Sequence, residues 1–556
     1  MSLSLIDFPI ELLHLISSFT DFITQIRFRQ TNQLLYQKLV IRDFCNIDDK
    51  YSDLLSDEIL RSYPFITKLD ASWNRKITGL NHLTRLEVLK ARGLYEITDE
   101  CISNLDLKEL DIGNNSKITN LNHMTRLKVL NIGGDCSVTD DGIANLNLIK
   151  LIADNNPFVT NLNHMTRLKN LRAVGADCGI SDAGIINLDL KSVTTFGNPK
   201  ITNLNHMTNL EVLQCAEELN NDSISKLNLK KLYASDSTLI TDLNHMTRLE
   251  KLYADYKCNI GDDGIKCLNL KYLDAWDNSK ITNVSHMTNL VFLDASRASG
   301  IGDECIQHLF NLKELCASHN LMITDVNHMT QLEKLDADGD CGIDDNGIQN
   351  LDLIKLRAQD NPKITNVNHM RRLKNLDAHG DCGISDEGIT NLNLKKLSVG
   401  HNEKITNVNH MNQLKLLRAN GNCGINDYGI QFLNLETLEV DDNQKITNLT
   451  HMTNLKILDA CGNCGISPAS IQGLKITEMH TFGNLKFKTD DHPPVLNGQI
   501  VGPSRDHPPV LNGQIVGPSR DLPKTKNPTR SGVQSITIFG LFAIGFISIL
   551  VLGRMG

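Results

Sequence analysis

Ten histidines fall almost evenly along the 556-residue chain: His82, His123, His164, His206, His245, His286, His328, His369, His410 and His451. The gaps between them are 41, 41, 42, 39, 41, 42, 41, 41 and 41 residues, and each sits in a near-copy of Ile-Thr-Asn-Leu-Asn-His-Met-Thr-Arg-Leu. A fixed period of this length means stacked supersecondary units that pack on their neighbours. It argues against a globular enzyme core. Aromatic residues make up only 5% of the chain, so the stack must be filled with Leu, Ile, Val and Ala.

Each period holds two shorter units. Leu-x-x-Leu-x-(Ala/Ile/Val) recurs at Leu107, Leu127, Leu148 and Leu168, and again at Leu353, Leu373, Leu394 and Leu414. In Leu394-Lys-Lys-Leu397-Ser-Val399-Gly-His-Asn402, Leu397 and Val399 alternate with polar neighbours, the period of a strand with one buried face. The ninth position is Asn again at Asn115, Asn156, Asn198, Asn278, Asn320, Asn361 and Asn443. A buried Asn there can satisfy backbone groups that a turn leaves open.

This pattern resembles the Leu-x-x-Leu-x-Leu-x-x-Asn/Cys signature of leucine-rich-repeat (LRR) proteins, over about 420 residues and some 20 units. Cys382-Gly-Ile-Ser-Asp-Glu-Gly-Ile389 is similar to the cysteine-containing subtype, and Ile405-Thr-Asn-Val-Asn-His-Met-Asn-Gln-Leu414 to the shorter repeats of internalin-like proteins. The resemblance implies an α/β repeat solenoid over 51–484. A curved parallel sheet would line the concave face, with loops or short helical turns on the convex one.

Fourteen cysteines first suggest disulfides or metal, but Cys136, Cys178, Cys258, Cys341, Cys382, Cys423 and Cys464 recur with the period. Cys461 and Cys464 form a lone Cys-x-x-Cys without a second pair at zinc spacing. Reduced structural thiols are expected, with no metal and no cofactor. The histidines are two strands apart, on the order of 10 Å, too far to share an ion. They belong on the convex loops beside buried Leu121, Met124 and Leu127. No nucleotide loop, nucleophile elbow or His-Glu-x-x-His is present, so no catalytic residue is assigned. A formal charge of −9 lacks the basic face that nucleic acid requires.

The fifth and seventh positions of each unit point out of the concave sheet. On consecutive strands they read Tyr233, Tyr253, Asp255, Asp274, Trp276 and Asp294. Tyr and Trp dominate protein-binding hot spots, so this patch is the expected site for a protein target. A mainly acidic stripe of Asp336, Arg357, Asp377, Arg418, Glu439 and Asp459 follows it.

The ends break the period. Within 1–50, Phe8-Pro9-Ile-Glu11-Leu12-Leu13-x-x-Ile16-Ser-Ser-Phe19 puts Pro9 in a first helical turn and Leu12, Ile16 and Phe19 on one face. The segment resembles an F-box, with Phe8-Pro9 for Leu-Pro and Glu11-Leu12 for Glu-Leu/Ile. That likeness implies docking through Phe8, Pro9, Glu11, Leu12, Ile16 and Phe19 onto the adaptor of an SCF-type cullin–RING ubiquitin ligase. A plain helical cap on the first repeat is the other reading. Residues 485–532 form a Pro/Gly-containing linker in which Asp491–Arg505 is duplicated as Asp506–Arg520. The 533–553 segment is expected to be a transmembrane helix, since Val533–Leu552 carries no charge. Lys524, Lys526 and Arg530 precede it and only Arg554 follows. With no secretory signal at the start, this predicts a single-pass tail anchor with the N-terminal bulk cytoplasmic. Two functions remain: a membrane-anchored substrate receptor for ubiquitination, or a tail-anchored LRR scaffold with a helical cap and no ubiquitin role.

Overall fold

The computed structural model describes residues 24–26, 40–45, 47, 52, 54–93 and 96–487. The chain divides into units 1–503 and 504–556, and the second lies wholly outside the described residues. So do the six F-box-like positions, most of the linker and the 533–553 segment. Among the described residues no helix is long and apolar enough to cross a membrane.

The described chain is a parallel β-solenoid. Its sheet has twenty-two strands, from Asp43–Phe44 to Glu478–His480, each paired in parallel with the next along the chain. After the first, every strand is three residues long, and its middle residue, usually Leu, points inward. Register keeps these residues in one row: Leu69 faces Leu89, which faces Leu110. Up to the last strand, where Met479 is partly buried, the row is fully or almost fully buried, as is the sixth position, filled by residues such as Ala71, Ala91 or Ile112. Each buried Leu contributes about 1.5–3 kcal/mol, and the parallel pairing brings identical positions together so that no unit needs a core of its own.

The non-strand residues repeat for equally physical reasons. Asn402 is buried; its Nδ2 donates to the carbonyls of Ala378 (2.9 Å) and Ile384 (3.2 Å), and its Oδ1 accepts from the Lys404 amide (2.9 Å). The Ile-Thr-Asn signature is stapled by the preceding turn. Asp386 accepts from the Thr406 amide (2.8 Å), the Asn407 amide (3.1 Å) and the Thr406 hydroxyl (2.6 Å). That Asp opens a one-turn helix, Asp386–Ile389, of the kind also seen at Asp182–Ile185 and Asp427–Ile430.

The histidine ladder belongs to the same scaffold. Nε2 of His369 lies 3.1 Å from the carbonyl of Ile348, and that of His410 3.1 Å from Ile389. A carbonyl only accepts, so Nε2 carries the proton and donates. Nine of the ten histidines make this bond, at 2.9–3.2 Å. All fourteen cysteines are free, and the seven periodic ones are buried. Burial pushes the Cys382 thiol up to about 12 and Cys341 up to about 11, which keeps them protonated and unreactive.

The sheet begins earlier than the repeat pattern does. Asp43–Phe44 pairs with Lys68–Asp70 although the segment lacks Leu-x-x-Leu. Phe44 takes the inward place, 1% exposed, with its ring edge-on to Tyr63 at 5.2 Å. Ile26 packs on the same core. An aromatic side chain thus closes the end of the leucine row.

Candidate binding face

Because strands are three residues long, the third and fifth positions of a unit share the outward face, and the chain leaves the sheet through the seventh and eighth. Tyr233 and Tyr253 are directly opposite in register and stack at 4.3 Å. The stack continues to Tyr272 at 4.8 Å and from there to Phe292 at 4.1 Å, the last two rings within 3° of parallel. Four rings from consecutive strands form one ladder. Tyr272 and Phe292 were not singled out from the sequence, although the alternation that points the fifth position outward does the same for the third. The Lys231 ammonium rests over the near end, 4.4 Å from the Tyr233 ring centre and 5.2 Å from that of Tyr253.

Trp276 sits beside the ladder in the seventh position. Tyr256 stacks on it at 6.1 Å and the Arg297 guanidinium covers it at 5.1 Å. Both neighbours hold the eighth position with left-handed backbone, φ 57° for Tyr256 and 60° for Arg297. Elsewhere this turn is closed by Gly, as at Gly93, Gly134 and Gly380, alternating with residues such as Asn114 and Asp360. From Asp236 to His319 five successive turns carry no glycine there. Bulky side chains cost roughly 1–2 kcal/mol each in this conformation, and such strain collects at functional sites.

The carboxylates complete the patch. Asp274 and Asp294 are half-buried and adjacent in register, with Asp255 one strand earlier in the seventh position. Burial and the nearby Asp294 and Asp255 push the Asp274 carboxyl up to about 7. Burial likewise raises Asp294, against hydrogen bonds from Ser296 that lower it. Among the described residues none of the three has an ion pair. Their hydrogen bonds are local: Ser235 hydroxyl to Asp255, the Trp276 amide to Asp274 (3.2 Å), and the Ser296 amide to Asp294 (2.9 Å). The six residues expected to form the patch therefore lie on one contiguous stretch, 233–294, of one sheet face.

Two features flank it. An open pocket of roughly 790 Å³ at the strand ends is lined by Asp277, Arg297, His319, Leu321 and Met322, the last two 65% and 55% exposed. Farther along, donor atoms of Asp441, Asp459 and Cys461 lie within 4.8 Å of one another. The Cys461 thiol lies 3.1 Å from Asp459 Oδ1. Burial and Asp459 push it up to about 12, so it keeps its proton and donates.

No family model matches the chain, and no curated protein does. Among solved structures, a chain in the crystal structure of a TLR13–ssRNA13 complex is 18% identical. The match covers 76% of this chain and 78% of that one, with a TM-score of 0.44. At that level the likeness carries no argument about function.

Proposed function

We propose that this chain is a protein-interaction scaffold whose target binds the outward sheet face around Tyr233, Tyr253, Tyr272 and Trp276. The observation that carries this reading is the four-ring ladder, a continuous aromatic surface in a chain otherwise poor in aromatics. Rigid rings present large contact area at low entropic cost. A nucleic-acid strand would bring its phosphates against Asp255, Asp274 and Asp294, so charge favours a protein target. The test is affinity capture with the full chain. Tyr253→Ala with Trp276→Ala should remove the specific partners while leaving the thermal transition in place, and an unchanged partner set rejects the face.

The finer reading is a substrate-recognition subunit of an SCF-type ubiquitin ligase. Phe8, Pro9, Glu11, Leu12, Ile16 and Phe19 would engage the adaptor, and the recruited ligase would do the chemistry. Its support is the order of an F-box-like segment followed by leucine-rich repeats. Capture of the adaptor by the full chain, lost in a Pro9/Leu12/Ile16 triple alanine variant, is the expected result; equal capture by both sinks it. A scaffold without a ubiquitin role is favoured by one contact: Ile26 packs on the solenoid core, as a cap would. The apolar 533–552 segment supports a tail anchor with the bulk of the chain cytoplasmic. Alkaline carbonate should leave the protein in the membrane pellet, and its release would reject a spanning helix.

A further inference from the structure

Charge on this sheet face is arranged in two ways. Where outward acids occur outside the patch, several have a cation on the adjoining strand: Asp70 with Lys90 (3.4 Å), Asp111 with Arg92 (2.6 Å), Asp336 with Arg357 (2.9 Å) and Glu439 with Arg418 (2.7 Å). Asp154 pairs with Arg172 in the same manner. At Asp255, Asp274 and Asp294 the partner is missing among the described residues, and the positions that would supply it hold Tyr253, Trp276 and Ser296 instead. The nearby cations Lys231, Lys251, Lys257 and Arg297 lie over aromatic rings. Ring faces in the ladder are occupied by one another at 4.1–4.8 Å, so it presents ring edges outward beside a row of uncompensated carboxylates.

We infer that the occupant of this aromatic face is a polyproline-II segment of a partner protein carrying Arg or Lys at every third residue, so that its cations share one side. This rests on the scaffold reading above and specifies its partner by charge complementarity. The geometry sets the spacing. Asp255 and Asp294 are two strands apart, on the order of 10 Å, and three residues of a polyproline-II segment advance about 9 Å while staying on one side. A segment crossing the strands would place one cation at Asp255 and the next at Asp294, with Asp274 between them and the intervening apolar side chains on the ring edges. The cations would supply the compensation that neighbouring strands give the other acids, and the desolvated site would strengthen each charge-assisted hydrogen bond.

The probe is a fluorescein-labelled fifteen-residue peptide of Ser and Leu with Arg at every third position, titrated with the full chain. Its twin carries Glu in place of Arg. The Arg peptide should bind and the Glu twin should not. Asp274→Asn with Asp294→Asn should weaken the Arg peptide at least tenfold. Asp141→Asn with Glu304→Gln removes the same charge from exposed positions on the short helical turns and should change binding less than twofold. Equal loss in the two double variants would mean general attraction to an acidic protein and overturn the inference, as would no binding of the Arg peptide or equal binding of the Glu twin. The Asn substitutions are isosteric and relieve repulsion, so a wild-type circular dichroism spectrum is expected for both. The scaffold reading stands or falls separately. If Tyr253→Ala with Trp276→Ala loses the captured partner while Asp274→Asn with Asp294→Asn keeps it, the face binds a partner that is not basic.

Discussion

Two stretches of one sheet, Lys68–Arg172 and Lys231–Asp294, are built on the same buried row but spend their outward positions differently. In the first, acids and bases on adjoining strands neutralise one another, as Asp111 does with Arg92. In the second, four rings stack along the strands and, among the described residues, three acids are left without a counter-ion. Even the buried turn differs. Asn156 makes four hydrogen bonds, to the carbonyls of Ile132 and Cys136 and from the amides of Phe158 and Val159. At the same position the second stretch has Asn278, bonded alike, in one unit but Ser237, whose buried Oγ has no partner, in another. A scaffold repeated this often would have no need of these departures for folding. Their concentration in one stretch is what marks it as a site.

The largest test of that contrast lies in the turns. Asn156→Ala should cost about 2–4 kcal/mol, because it strands buried backbone groups, whereas Ser237→Ala should stay within about 0.5 kcal/mol. Urea unfolding followed by circular dichroism reads both, and equal losses would erase the distinction. Next in size is binding. Tyr253→Ala with Trp276→Ala should weaken a captured partner by at least about 2 kcal/mol, and Lys90→Ala with Arg92→Ala should leave it nearly unchanged. If the first stretch proves equally sensitive, the site extends over the whole face.

Third comes charge. In the fold Asp274 holds its proton up to about pH 7, whereas in the unfolded chain it gives it up near a pKa of about 3.9. Folding therefore takes up a proton between those values, and this group's contribution to stability falls as pH rises from 4 through 7. Asp274→Asn should raise the melting temperature by roughly 1–3 °C at pH 8, less at pH 5, because the variant lacks this group's loss of stability between pH 4 and 7. Asp111→Asn should instead lower it slightly by leaving Arg92 unpaired. The smallest effect is expected from Asp154→Asn: its partner Arg172 is half exposed, so the loss should be about 0.2–1 kcal/mol and fade at 1 M salt.

Much of this was legible in the chain. Leu397, Val399 and Asn402 announce a strand, an inward step and a buried turn, and the histidines' place on turns follows from Leu121 and Met124 on either side of Asn122 and His123. Tyr233 and Tyr253 could be placed on one face by alternation alone, whereas Trp276 lies past the end of its strand at Asp274. Tyr272 and Phe292 stand just before the inward Leu, a place the same alternation turns outward. Tyr256 and Arg297 could not be found that way, since the eighth position lies beyond the strand and its direction depends on a left-handed turn. The first strand escaped as well: Phe44 fills a leucine's place without a leucine's pattern.

The period, the parallel stacking of units and the buried ladders of Leu and Asn are all written along the chain. Each of these is a local preference repeated until only one arrangement satisfies all copies. Which outward side chains meet is set by cross-strand register. Residues about 20 apart in sequence become neighbours 4–5 Å apart through the register of three-residue strands, as Tyr233 and Tyr253 do. Ring stacking, ion pairing and the raised Asp274 carboxyl all act across strands, and none has a signature along a single one.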